Sequence, residues 1–285
     1  MALDTAPPVT ETVQPGAAPG QGPVRRWRVP AGRWWQPALV FVALVALWYG
    51  IAAVFASQGR GFLWPFPHEV LYAATAEQTA LAQLYPALLN SALVALTGLV
   101  IAVVLGISAA TLMVQARWIE RSFFPYAVIL QCIPILAVAP LIGVLFGYNF
   151  MGKVIVTVMI SLFPMISNTL FGLQAADKAQ LELFQLQGAS RATTLLKLQF
   201  PAAMPSIFVG LRNAAGLSVI GAIVGDQLLG QGSPGLGMAI SVFNSRIQGP
   251  ETWAAILIAS LFGIVVFLLF GLLRRLAVGK WFDLG

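Results

Sequence analysis

Between residues 253 and 273 the chain passes through 21 positions without one charged side chain. At about 1.5 Å per helical residue that run covers roughly 30 Å, the thickness of a bilayer's hydrocarbon core. Backbone amides in lipid have no water to bond, so a lipid-exposed run of this kind must close its hydrogen bonds as a helix. Comparable runs fall at 37–56, 92–114, 123–146, 154–173 and 205–229. Six spans follow, and with them an all-α, polytopic membrane fold.

Composition agrees and excludes other classes. Of 285 residues 59% are hydrophobic and 9% charged, with mean hydropathy +0.85. Soluble domains run nearer 45–50% apolar and about 25% charged. An ordinary water-soluble enzyme, a nucleic-acid module and a disordered chain are therefore ruled out. Cys132 and His68 are the single cysteine and histidine, so neither a disulfide within the chain nor a Cys/His metal cluster is expected.

Residues 1–33 are rich in Pro, Gly, Ala and Thr and show no periodicity. They read as a disordered cytoplasmic tail ahead of a transmembrane domain at 34–285. With the N-terminus inside, inner segments hold twelve basic residues: Arg25, Arg26, Arg28, Arg33, Arg117, Arg121, Lys178, Arg191, Lys197, Arg274, Arg275 and Lys280. Outer loops hold three, namely Arg60, Lys153 and Arg246. This positive-inside bias puts both termini in the cytoplasm.

The third span carries Pro125, Pro134 and Pro140. A proline frees a backbone carbonyl inside lipid, which suits either ordinary kinking or a bent helix lining a path. Gln131, Asn168 and Asn213 are polar at membrane depth, where path-lining and interhelical bonding explain them equally. Arg212 suits snorkelling or pairing better than substrate contact. Asp226, near the outer end of the fifth span, either lines a gate or marks a helix end.

Residues 175–203 break the pattern, being neither disordered nor apolar enough to span. Leu181, Leu183 and Phe184 form an apolar stripe opposite Lys178, Glu182 and Gln185. Gly188 suits the position after a helix C-cap and Ser190 an N-cap. Two short helices are expected, the second running toward Pro201 with Leu195, Leu196 and Leu198 on its apolar side. Such a knob is a surface element or a docking site for a partner.

The stretch from Glu182 through Gly188-Ala189-Ser190-Arg191 to Pro201 and Pro205 resembles the cytoplasmic "EAA" loop of importer-type ABC transporter permeases. The flanking chain is similar to the same family at Trp64-Pro65-Phe66-Pro67, Asn90-Ser91, Gln131-Cys132-Ile133-Pro134, Ala139-Pro140, Phe146-Gly147, Phe163-Pro164, Asn168-Thr169 and Gly210-Leu211-Arg212. The resemblance covers about 37–275 and points to the branch that carries nitrate, sulfonates, taurine and thiamine-pyrimidine or riboflavin precursors. The run 215–226 looks nearer the pyrimidine and riboflavin end. Leu183 and Phe184 stand where that family has alanines, and Phe200 where it has leucine.

The resemblance implies a type I ABC importer permease-like fold in a bacterial inner membrane, a second copy as homodimer partner, two cytoplasmic ATPase subunits and an extracytoplasmic solute-binding protein. It implies that ATP and Mg are bound by the ATPases, with no catalytic residue, metal or cofactor in this chain. Glu182, Gly188, Ala189, Ser190, Arg191, Leu195 and Pro201 would couple to the ATPase. Gln131, Pro134, Asn168 and Asp226 would line the substrate path or gate. The glycines 230, 232 and 235 fit the letters of a dinucleotide signature, but they follow a membrane helix rather than a strand. No GxxxxGK[ST] occurs. The rival reading is a stand-alone carrier or channel, which would want more charge in the spans. An intramembrane protease would want a nucleophile beside His68 or a second carboxylate beside Asp226.

Overall fold

The computed structural model describes residues 35–278. The expected tail at 1–33, with its four arginines, and Lys280 lie outside the described residues. Two units divide the chain at Leu44. Among the described residues the first holds only the opening turns of α1 (Trp35–Ser57). The second holds the rest of α1 and every later element.

After α1 a short turn segment leads to α2 (Pro67–Thr75), where Pro67 opens the helix and the Glu69 carboxylate accepts the Phe66 N–H at 2.9 Å. Helix α3 (Gln78–Gln115) is 38 residues long. At ~1.5 Å per residue it is longer than the bilayer core is thick. Next come α4 (Arg117–Cys132) and α5 (Ile135–Phe146), set at 99° to each other. The break is at Pro134. Its ring bars the residue before it from helical angles, and Ile133 is extended at φ −66°, ψ 123°. Pro125 and Pro140 remain inside their helices. The third expected span is therefore a helix pair at near right angles rather than a gently kinked rod. Among the described residues five helices are long and apolar enough to cross a membrane, and six if this pair counts as one span.

Helix α6 (Phe150–Gln174) starts one turn earlier than the apolar run, because the Asn149 side chain accepts the Met151 N–H and caps it. Then come α7 (Lys178–Leu186), α8 (Arg191–Thr194) and, through a five-residue π-turn at Leu195–Gln199, α9 (Phe200–Leu229). A short helix α10 (Leu236–Ser245) and the long α11 (Gly249–Val278) close the order.

Helices α3, α6 and α9 form the packed centre. Hydrophobic burial does not hold helices together in lipid, so close backbone approach must. Thr157 of α6 is fully buried. Its side chain fills the space a Cβ would need at Gly98 of α3, and its Cα lies 2.8 Å from where a Cβ on Gly221 of α9 would sit. At the α7 end, Met113, Leu170, Leu173, Leu195 and Ala203 join in one apolar cluster; at the other, Leu84, Leu236, Phe243 and Ala255 join in a second.

Candidate functional site

Two places concentrate polar chemistry, one at each end of the central helices. The first is the connection from α6 to α9. Asp177 caps α7 by accepting the Ala179 N–H at 2.9 Å. The helix ends with Gly188 at φ +67°, where the Gly188 N–H donates to the Gln185 carbonyl and the Ala189 N–H to that of Phe184, both at 3.0 Å. This is the six-to-one and five-to-two pairing of a Schellman end, and its left-handed residue is cheap only as glycine. Ser190 then caps the next helix, its Oγ accepting the Thr193 N–H at 3.2 Å. Both caps stand where the sequence placed them.

The second helix differs from expectation. It is not a separate short element ending at Pro201; α8 passes through the π-turn directly into α9. Pro201 has no N–H and its ring would clash with the carbonyl four residues back, and a widened turn precedes it. The Gln199 amide donates to the Leu173 carbonyl at 3.3 Å, tying this turn to the end of α6. Leu195 is buried in the apolar cluster with Leu170 and Leu173, and Leu198 is buried too. Its place is inward, as an anchor, rather than on the presented surface.

What is presented is α7, which has no buried residue. Leu186 is 86% exposed and Leu183 51%, with Glu182, Ser190 and Arg191 exposed around them. The result is a rigid knob, capped at both ends and carrying an apolar tip.

The second place lies at the opposite end. Lys153, in the first turns of α6, donates to Asp226 Oδ1 at 2.6 Å and to the Ser233 carbonyl at 2.7 Å. The Lys153 and Asp226 side chains are 3% and 2% exposed. Asp226 also accepts the Gly235 N–H at 2.9 Å and the Met238 N–H at 2.7 Å, which caps α10. Ser91 Oγ accepts the Leu236 N–H at 2.8 Å, and the Asn90 amide donates to the Pro234 carbonyl at 2.9 Å. The loop 230–235 is thus stapled to α3, α6 and α9. Its glycines serve this turn, and no strand precedes them.

One expectation changes here. Lys153 is not an outer-loop residue but a buried member of α6. The cap at Asn149 was the signal that extends the helix over it. Asp226, one turn before the end of α9, has both oxygens engaged within the chain, where it pairs Lys153 and caps α10.

The other path candidates are not convened. Gln131 and Pro134 sit exposed at the α4–α5 break. Asn168 donates to the Pro164 carbonyl of its own helix at 2.8 Å and lies against Gly210 of α9. Arg212, half-buried, stacks its guanidinium on the Phe267 ring of α11 at 3.9 Å. Among the described residues no group of three metal-ligating side chains gathers.

The family model described as "Binding-protein-dependent transport system inner membrane component" matches residues 102–280. The chain belongs to this family. The permease is 35% identical to the "Formylaminopyrimidine transport permease protein ThiX" of Halalkalibacterium halodurans, over 81% of this chain and 90% of that one. It is 33% identical to the "Riboflavin transport system permease protein RibX" of Chloroflexus aurantiacus, over 58% of this chain and 60% of that one. Against the "Putative aliphatic sulfonates transport permease protein SsuC" of Escherichia coli it is 29% identical, over 89% and 93%. The protein is a multi-pass inner-membrane permease of the type I ABC transporter fold, as the loop and flanking motifs led one to expect.

Proposed function

We propose that the permease is the membrane-embedded, non-catalytic half of an ATP-driven importer for a small nitrogen heterocycle of the pyrimidine or flavin kind. The observation that carries this reading is its 35% identity to a formylaminopyrimidine transport permease over most of both chains. In this reading two copies form a homodimer with the path on its axis, and an extracytoplasmic binding protein delivers the solute. Two cytoplasmic ATPase subunits bind ATP and Mg. The knob at α7 is cytoplasmic, as are both termini.

The construction of the α7 knob favours coupling through it. Closure of two ATPases can be transmitted only by an element that does not absorb the motion. A nine-residue helix with a side-chain cap at one end and a Schellman turn at the other satisfies that requirement. The apolar tip at Leu183 and Leu186 would enter the ATPase groove, with Glu182, Ala189, Ser190 and Arg191 at its rim. Leu195 and Pro201 would relay movement into α9. Gln131, Pro134 and Asn168 would border the path once two copies meet.

The test is ATP-dependent uptake into liposomes holding the permease with its ATPase and binding protein. Formylaminopyrimidine, riboflavin and an aliphatic sulfonate are offered separately. Accumulation of a heterocycle but not the sulfonate supports the proposal; sulfonate uptake alone overturns the solute class. Uptake by the permease without ATPase or ATP would favour a stand-alone carrier instead.

A further inference from the structure

We infer that the permease carries a built site for one anionic phospholipid, between α9 and α11 at their α7-side ends. A cavity of about 830 Å³ lies between these helices. Its walls are almost wholly apolar, with Gly216, Ile220, Gly263, Ile264 and Phe267 among them. From Ile256 to Leu268 it follows α11 for twelve residues, about 18 Å, close to the depth of one leaflet. That is the shape of a slot for an acyl chain.

Two arginines lie at the Phe267 end of this slot. Phe267, Gly271 and Arg274 fall at i, i+4 and i+7 and share one face of α11. Arg212 of α9 lies over this stripe: its guanidinium is 3.9 Å from the Phe267 ring centroid, and its Nε is 3.3 Å from where a Cβ on Gly271 would sit. The Nε atoms of both Arg212 and Arg274 are buried without a hydrogen-bond partner. Among the described residues the sole ion pair is Lys153–Asp226 at the far end. Arg212 lies within an apolar run and has no anion beside it among the described residues, which is costly at membrane depth, and Arg274 adds a second cation at the mouth. A phosphate at the mouth would supply one, with its acyl chain in the apolar slot behind.

A helix from a second copy would fit the slot by shape but not by charge. The one carboxylate deep within this chain's described spans, Asp226, is already bonded to Lys153. With the orientation proposed above this is the cytoplasmic leaflet; the binding itself does not rest on that orientation.

The experiment is native mass spectrometry of the full chain in mild detergent, with phosphatidylglycerol and phosphatidylcholine of identical acyl chains in equal amounts. One phosphatidylglycerol per chain should be retained, preferred by about 5-fold for each arginine. R212Q and R274Q should each remove about that factor, while R212K keeps it. G263W fills the slot and should reduce retention of both lipids with the far-UV circular dichroism unchanged. An undiminished preference in the R212Q/R274Q double variant overturns the site, as does equal retention of both lipids by the wild type. Displacement by millimolar glycerol 3-phosphate would assign the arginines to a soluble anion instead. In a Cys132→Ser background, efficient self-cross-linking of I264C would assign the slot to a second copy.

Discussion

Replacing Asp226 with alanine should be among the most damaging single changes in the permease, and its cost can be worked from the contacts. The substitution leaves the Lys153 ammonium, 3% exposed, with the Ser233 carbonyl alone. Breaking a buried ion pair by removing one partner costs about 3–5 kcal/mol. The Gly235 and Met238 N–H groups also lose their acceptor, which adds about 1–2 kcal/mol as for other lost helix caps. The sum, about 4–7 kcal/mol, is comparable with the whole stability of many domains, about 5–15 kcal/mol.

Lys153→Met should cost less, about 2–3 kcal/mol, because the carboxylate left behind keeps two backbone N–H donors. The pair should then couple. In a double-mutant cycle with Asp226→Ala and Lys153→Met, the double variant should be more stable than the two single losses added together, by at least ~2 kcal/mol. The assay is sodium dodecyl sulfate titration of the full chain in dodecyl maltoside micelles, followed by far-UV circular dichroism. Additivity within about 0.5 kcal/mol would refute the reasoning. So would a larger loss for Lys153→Met than for Asp226→Ala, since the N–H donors would then not be stabilising the charge.

Other contacts carry predictions of the same kind. Leu186→Asp, at an 86% exposed tip, should leave the unfolding midpoint unchanged yet abolish co-purification with the ATPase; a retained complex would sink the coupling role of α7. Gly188→Val forces a branched side chain to φ +67° and should destabilise the knob by about 1–2 kcal/mol, read as faster amide exchange confined to 178–194. Ser91→Ala leaves the Leu236 N–H without its acceptor and should cost about 1–3 kcal/mol in the same detergent titration. Gly98→Leu drives a side chain into the space Thr157 fills and should prevent the chain from accumulating in membranes, as seen by immunoblot.

The knob at α7 was legible because its signals are local. A glycine in the left-handed region and a serine at an N-cap are needed by the backbone within four or five residues, so Gly188 and Ser190 could be placed before any packing was known. The break at Pro134 was half-legible: ring geometry requires an interruption, but the 99° angle depends on what the two halves pack against. That Leu195 faces the chain's own core was not legible, because helical spacing gives an apolar face without saying whether it meets a partner or the core. Lys153 was missed because hydropathy starts a span at the first apolar residue, whereas Asn149 starts the helix one turn earlier.

The sequence by itself determined the class of molecule, the six apolar runs and the place of the knob, since each follows from chain-local chemistry: transfer into lipid, helix caps and proline geometry. Only the tertiary structure decided which polar groups are working partners. Lys153 and Asp226 are 73 residues apart and Ser91 and Leu236 are 145 apart, so no local rule joins them. A buried charge in lipid must find its counter-charge in space, and the packing of α3, α6 and α9 settles where that is.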